Sequence, residues 1–266
     1  MDSPTVFPPR EPSTGGGSPL SSEFAYPAPW GYFGTVRWAA FAVIAAAVVS
    51  VMGGIWWFGY PRLSEMLRSM SGQYDGAFVS ITQFISAPIQ IGMLLIAIRL
   101  KHWPAGPYLG FVVPNRRNVI RSVILLAAIV FALEVTTSML GHDVVSQFQV
   151  ETYRTAKATG WLIPLLVTIV VLAPVVEEIT FRGFVYRGFV RQPGHEPYAI
   201  IVISLAWTML HFQYEWRDLA QIFIIGLALG WVRWSTGSTL LTIFLHALLN
   251  LWASIETTFR MEWMSS

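Results

Sequence analysis

Seven times along this chain of 266 residues, a mostly apolar run approaches the length of a membrane-crossing helix, which needs about 20 such residues. The runs fall at roughly 38–59, 77–99, 120–140, 163–187, 199–213, 218–234 and 238–256, the fifth being the shortest. Charged residues make up 12% of the sequence, half the usual share for a soluble domain, too few to cover the surface of a soluble globule of this size. Alternating apolar–polar segments of the kind that build a membrane β-barrel are missing. The fold class is therefore all-α: a polytopic membrane bundle of about seven helices, with six to eight as the range. With 0 cysteines the chain has no disulfide framework and no thiol nucleophile. A formal charge of +2 gives no reason to expect a nucleic-acid partner.

Residues 1–36 differ in kind. Rich in Pro, Gly and Ser and without periodicity, they read as a disordered tail. They lack the basic-then-apolar layout of a signal peptide, so no cleavage is expected. Tyr26, Trp30, Tyr32 and Phe33 cluster just before Arg37, as residues anchoring a helix at the membrane interface do. The rest, 37–266, reads as one membrane-embedded domain. Lys and Arg fall eleven to one side and six to the other when the spans alternate, and the richer side holds the N-terminus. That bias predicts a cytoplasmic N-terminus and, with seven spans, a C-terminus outside. The tail and the modest length fit a multi-pass protein of a bacterial cytoplasmic membrane.

Ionisable residues inside apolar spans are costly and therefore mark candidate sites. Span three carries Glu134. Span four carries Glu177, Glu178 and Arg182, span five His211, and span seven His246 and Asn250. Glu178 and Arg182 are spaced i,i+4 with the acid first, the favourable order for an ion pair. Glu177 points about 100° away around the helix and is free to face other partners. His246 and Asn250 share one face, as do Trp207 and His211. At about 1.5 Å per residue, Glu177 lies roughly 15 Å deep, His211 roughly 16–20 Å and His246 roughly 13 Å, all near the middle of the bilayer. A carboxylate with a histidine beside it can activate water, and His and Asn side chains can donate to a developing oxyanion. Two Glu and two His could also supply zinc ligands, although HExxH is absent. Glu134 reads as one end of an interhelical hydrogen bond. Pro174, three residues before Glu177, is placed to kink span four and free a carbonyl near the site. Gly226 and Gly230 form a small-xxx-small pattern that predicts close helix packing within the bundle.

The residues from 177 to 250 resemble the CPBP family, the CAAX proteases and bacteriocin-processing enzymes also called Abi, which includes the type II CAAX prenyl endopeptidases. The EExxxR motif is matched by Glu177 to Arg182. FxxxH is matched at Trp207 to His211, with Trp in place of Phe, and HxxxN at His246 to Asn250. The resemblance implies a motif core over 161–256 and an intramembrane glutamic endopeptidase. Glu177 and His211 would activate water, and His246 and Asn250 would form the oxyanion hole. Glu178, Arg182 and Trp207 would support them. No cofactor or metal is implied, and the partners would be the bilayer and a protein or peptide substrate, lipidated or membrane-bound. Three other readings of the same residues stay open: a non-catalytic immunity or secretion factor on the same scaffold, a zinc-dependent metalloprotease, and a proton-coupled transporter.

Overall fold

The computed structural model describes residues 29–264. The expected tail from 1 to 28, with Tyr26, lies outside the described residues. Ten helices follow in order: α1 (Tyr32–Phe58), α2 (Tyr60–Arg68), α3 (Gly76–Arg99), α4 (Ala105–Leu109), α5 (Arg116–Met139), α6 (Gln147–Thr159), α7 (Leu162–Phe189), α8 (Glu196–Met209), α9 (Trp216–Thr236) and α10 (Thr239–Phe259), the last running on through Arg260–Met264. No strand occurs among the described residues. Six helices, α1, α3, α5, α7, α9 and α10, are long and apolar enough to cross a membrane. The chain is an all-α multi-pass membrane protein.

The fifth expected span is the exception. α8 has 14 residues, about 21 Å of helix against a hydrocarbon core of about 30 Å. It ends at Met209, so His211 sits in the turn beyond it and not on the helix. The aromatic cluster also behaves differently from a free anchor. α1 starts at Tyr32, and Trp30 folds back so that its indole donates to the Ala97 carbonyl at 3.2 Å, with Lys101 over its ring.

Short connections carry their own stop and start signals. Gly237 adopts φ +68, the left-handed conformation that ends α9, and Ser238 then caps α10 by accepting from the Leu241 N–H at 3.1 Å. Asp75 caps α3 and Asn115 caps α5 in the same way. α6, between spans, opens with a reciprocal capping box of Ser146 and Gln149.

α7 is the central helix, packed by α1, α3, α4, α8 and α10. It is not a regular α-helix. Wide π turns occupy Thr168–Leu172 and Ile179–Val185, on either side of Ala173–Glu178. The first has a covalent cause. Pro174 has no N–H, so the Ile169 carbonyl five residues earlier gets no donor from it, while Ala173 N–H bonds the Thr168 carbonyl. The Asn250 amide of α10 fills that vacancy, donating Nδ2–H to Ile169 O at 2.8 Å. At the second π turn the Arg182 carbonyl is taken by Arg233 Nε at 3.0 Å.

That last contact corrects a reading of the charges. Arg182, Arg187 and Arg233 are 1%, 3% and 0% exposed, so three of the eleven cations on the N-terminal side are buried in helices and are not loop charges. The bias for orientation narrows accordingly.

Glycines set two close approaches. Gly226 and Gly230 of α9 lie against Ser204, Trp207 and Ile200 of α8, as the small-residue pattern predicts. Gly188 near the end of α7 faces the buried Thr35 of α1, and a Cβ there would overlap the Thr35 side chain. Gly188→Ala should therefore destabilise the bundle by about 1–3 kcal/mol through overpacking. A thermal-denaturation series in detergent should show the loss, and Gly106→Ala, with open space at its Cβ, should not.

Candidate functional site

α7, α8 and α10 deliver the ionisable residues of the three motifs to one place, in two groups. The first is built on Glu178, whose side chain is fully buried. Its Oε1 accepts from Arg182 at 2.9 Å and from His246 Nδ1 at 3.0 Å. The i,i+4 pairing expected from spacing is present, and His246 joins it across the interface with α10. Arg182 spends its remaining capacity on its surroundings: one N–H goes to the Gly226 carbonyl at 3.1 Å, and its guanidinium lies 4.6 Å from the Trp207 ring centre.

The second group is built on Glu177. Being one residue from Glu178, it points to another side and meets α8. Trp207 Nε1–H donates to Glu177 Oε2 at 2.6 Å. His211 Nε2 stands 3.9 Å from the same oxygen, beyond hydrogen-bond length. The other imidazole nitrogen, Nδ1, lies 2.9 Å from the Trp207 carbonyl, which also accepts from the Leu210 N–H at the end of α8. A carbonyl only accepts, so Nδ1 holds the ring proton and Nε2 of the neutral ring presents its lone pair toward Glu177.

Trp207 joins the two groups. Its ring meets His211 edge-on at 4.9 Å and His246 edge-on at 5.4 Å, with Arg182 on its face. Sequence spacing reveals that Trp207 shares a side with His211. The indole hydrogen bond is not visible there, because Glu177 lies on another helix.

Asn250 is on the cavity wall beside His246. One of its amide hydrogens is committed to Ile169, leaving the second N–H and Oδ1. Glu134 of α5 accepts from Trp252 Nε1 of α10 at 2.8 Å, the interhelical hydrogen bond expected of it. Glu256, the last residue of the seventh apolar run, lies against Glu134 within hydrogen-bonding reach. Tyr214, in the turn between α8 and α9, also lines the cavity. Burial pushes its phenol up, with Asp218 and Glu177 adding to the effect, so it stays a protonated donor at neutral pH. Among the described residues no three His, Asp or Glu side chains converge on a common point as metal ligands would.

Residues 159–252, well under half of the chain, match the family model described as Rce1-like, type II CAAX prenyl endopeptidase. That segment contains all three motifs and agrees with the resemblance they carry. No curated protein and no solved structure matches the chain.

The buried pair can be tested without any assay of function. Arg182→Met leaves the Glu178 carboxylate short of its counter-charge and should cost about 3–5 kcal/mol. Adding Glu178→Gln to Arg182→Met should recover much of that loss, read as the melting temperature of each variant in the same detergent.

Proposed function

We propose that the chain is a membrane-embedded endopeptidase in which Glu177 and His211 activate water. The observation that carries this reading is the 3.9 Å gap between Glu177 Oε2 and His211 Nε2 on the wall of a cavity. Both atoms are acceptors. A water held by both would donate its two hydrogens to them and turn its lone pair toward a substrate carbonyl. The match to a family of prenyl endopeptidases supports the same reading.

The steps follow from proton bookkeeping. Glu177 takes a proton from the water as its oxygen attacks the scissile carbonyl, and a tetrahedral oxyanion forms. The oxyanion then collapses to a carboxyl group, the C–N bond breaks, and the proton passes to the leaving amine, either directly or through His211. His246 can donate to the oxyanion through Nε2 only as an imidazolium, because its Nδ1–H is held by Glu178. In that form His246 would add a second cation to the Arg182–Glu178 pair beside the developing anion. Asn250 contributes its second amide hydrogen. Glu178 and Arg182 hold His246 in place, and Trp207 holds Glu177. The substrate is a polypeptide presented at the membrane, lipidated or not, and residues 37–266 act as one domain with a cytoplasmic N-terminus and a motif core at 161–256.

A rival reading, a non-catalytic factor on the same scaffold, draws on one contact: Asn250 already gives an amide hydrogen to Ile169. Glu177→Gln separates the two. Comparison of membrane proteomes from cells carrying the native chain and Glu177→Gln should show peptide termini that disappear in the variant. Identical termini, with the phenotype of the native chain retained by Glu177→Gln, would sink the endopeptidase reading. Trp207→Phe keeps the ring on Arg182 and removes the N–H to Glu177. A hydrogen bond to a charged group contributes about 1.5–3 kcal/mol, so turnover should fall by roughly 10- to 100-fold with KM little changed.

A further inference from the structure

The cavity that contains Glu177 extends well past it, with a volume of about 380 Å³. It runs from Glu177 and His246, past Thr168 and Asn250, to Glu134 and Glu256. Four carboxyl groups line it, those of Glu134, Glu177, Asp218 and Glu256, and no Lys or Arg does. The neighbouring cations are engaged elsewhere: Arg154 with Glu151, Lys157 with Glu262, Arg217 with Glu215 and Arg260 with Asp143. The ionised carboxylates among them, gathered between apolar walls, focus a negative potential into the space they enclose.

An independent observation points to a ligand in the same space. Thr168 is 2% exposed and lines the cavity, yet its hydroxyl has no hydrogen-bond partner. Thr152, Thr180, Thr208 and Thr236, also buried and helical, donate to the carbonyl four residues earlier, whereas Thr35, which does not line the cavity, shares the unpartnered state. Thr168 has the Pro164 carbonyl at that spacing and does not use it. A buried hydroxyl left in this state is costly unless something entering the cavity satisfies it.

We propose that the cavity is the subsite for a basic residue of the substrate, a Lys or Arg whose cationic head lies between Glu134 and Glu256 while its backbone passes Thr168. The proposal rests on the endopeptidase reading of Glu177 and adds a substrate class to it. Its reach follows from helix geometry. His246 and Glu256 are ten residues apart on α10, about 15 Å along the axis. An extended peptide covers about 3.3 Å per residue, which sets the basic residue roughly three to five positions from the bond that is cut. The carboxyls are strung along the cavity and do not converge as metal ligands would, which suits a polypeptide threaded through it.

The test uses the purified full chain in lipid nanodiscs as Glu177→Gln, so that bound peptide survives. The probes are three fluorescein-labelled, leucine-rich peptides that differ at one position, which is Arg, norleucine or Glu. The Arg peptide should bind about 10-fold tighter than the norleucine peptide, and the Glu peptide weakest, by fluorescence anisotropy. Adding Glu134→Gln and Glu256→Gln together should bring the three affinities close to one value. Thr168→Val should weaken all three peptides alike. Equal binding of the three peptides to the Glu177→Gln chain overturns the proposal, and that comparison needs no further variant to fold. Charge preference without cleavage of the Arg peptide by the native chain overturns the endopeptidase reading and leaves the subsite standing; cleavage without charge preference does the reverse.

Discussion

A guanidinium and a carboxylate sit almost fully out of contact with solvent in the middle of a membrane bundle, and much of the architecture follows from making that tolerable. Removing two ions from water costs several kcal/mol each, even after relaxation. Arg182 and Glu178 offset this with a 2.9 Å contact, but one contact does not satisfy a guanidinium. The rest comes from other helices: the Gly226 carbonyl of α9 and the Trp207 face of α8 meet the guanidinium, and the His246 ring of α10 meets the carboxylate. Four helices are thus tied to one charge pair. Gly226 bears on this twice, since its carbonyl accepts from Arg182 and its missing side chain lets Trp207 come close.

The irregularity of α7 belongs to the same economy. A straight α-helix keeps its carbonyls for itself. The π turn before Pro174 frees the Ile169 carbonyl for Asn250, and within the second π turn the Arg182 carbonyl accepts from Arg233. In a bilayer such freed groups have no water to turn to, so irregular backbone is found where protein can satisfy it. Proline, π turn and asparagine therefore form one unit. The cost is that Asn250 is only partly free for chemistry.

Much of the site was legible in residue spacing. Glu178 and Arg182 share a face because they are four apart, and Glu177 must then look elsewhere; both hold in three dimensions. The freed carbonyl near Pro174 was also accessible, because proline's missing N–H is a covalent fact. Harder to see was which partner each acid would find. His246 appeared as a companion of Asn250 on one face, and nothing in the chain announced that it would bond Glu178. His211 appeared to lie on a helix, but α8 stops two residues short, and its histidine turns back to bond the carbonyl at that end. Arg233 resembled a loop charge because it stands near a span boundary, whereas the Arg182 carbonyl draws it inward.

The sequence by itself determined the solvent. Long apolar runs, scarce charge and the lack of alternating segments leave a helical membrane bundle, since backbone groups in hydrocarbon must be bonded within the protein. It also determined which few polar residues would be dragged into that bundle, and hence where chemistry could occur. Only the tertiary structure decided how those residues divide, with Glu178 neutralised in the interior and Glu177 turned toward a cavity. That division depends on crossing distances between α7, α8 and α10, which glycines, a proline and the width of an indole ring set together. No local pattern encodes such distances, because each is a sum over side chains far apart in the chain.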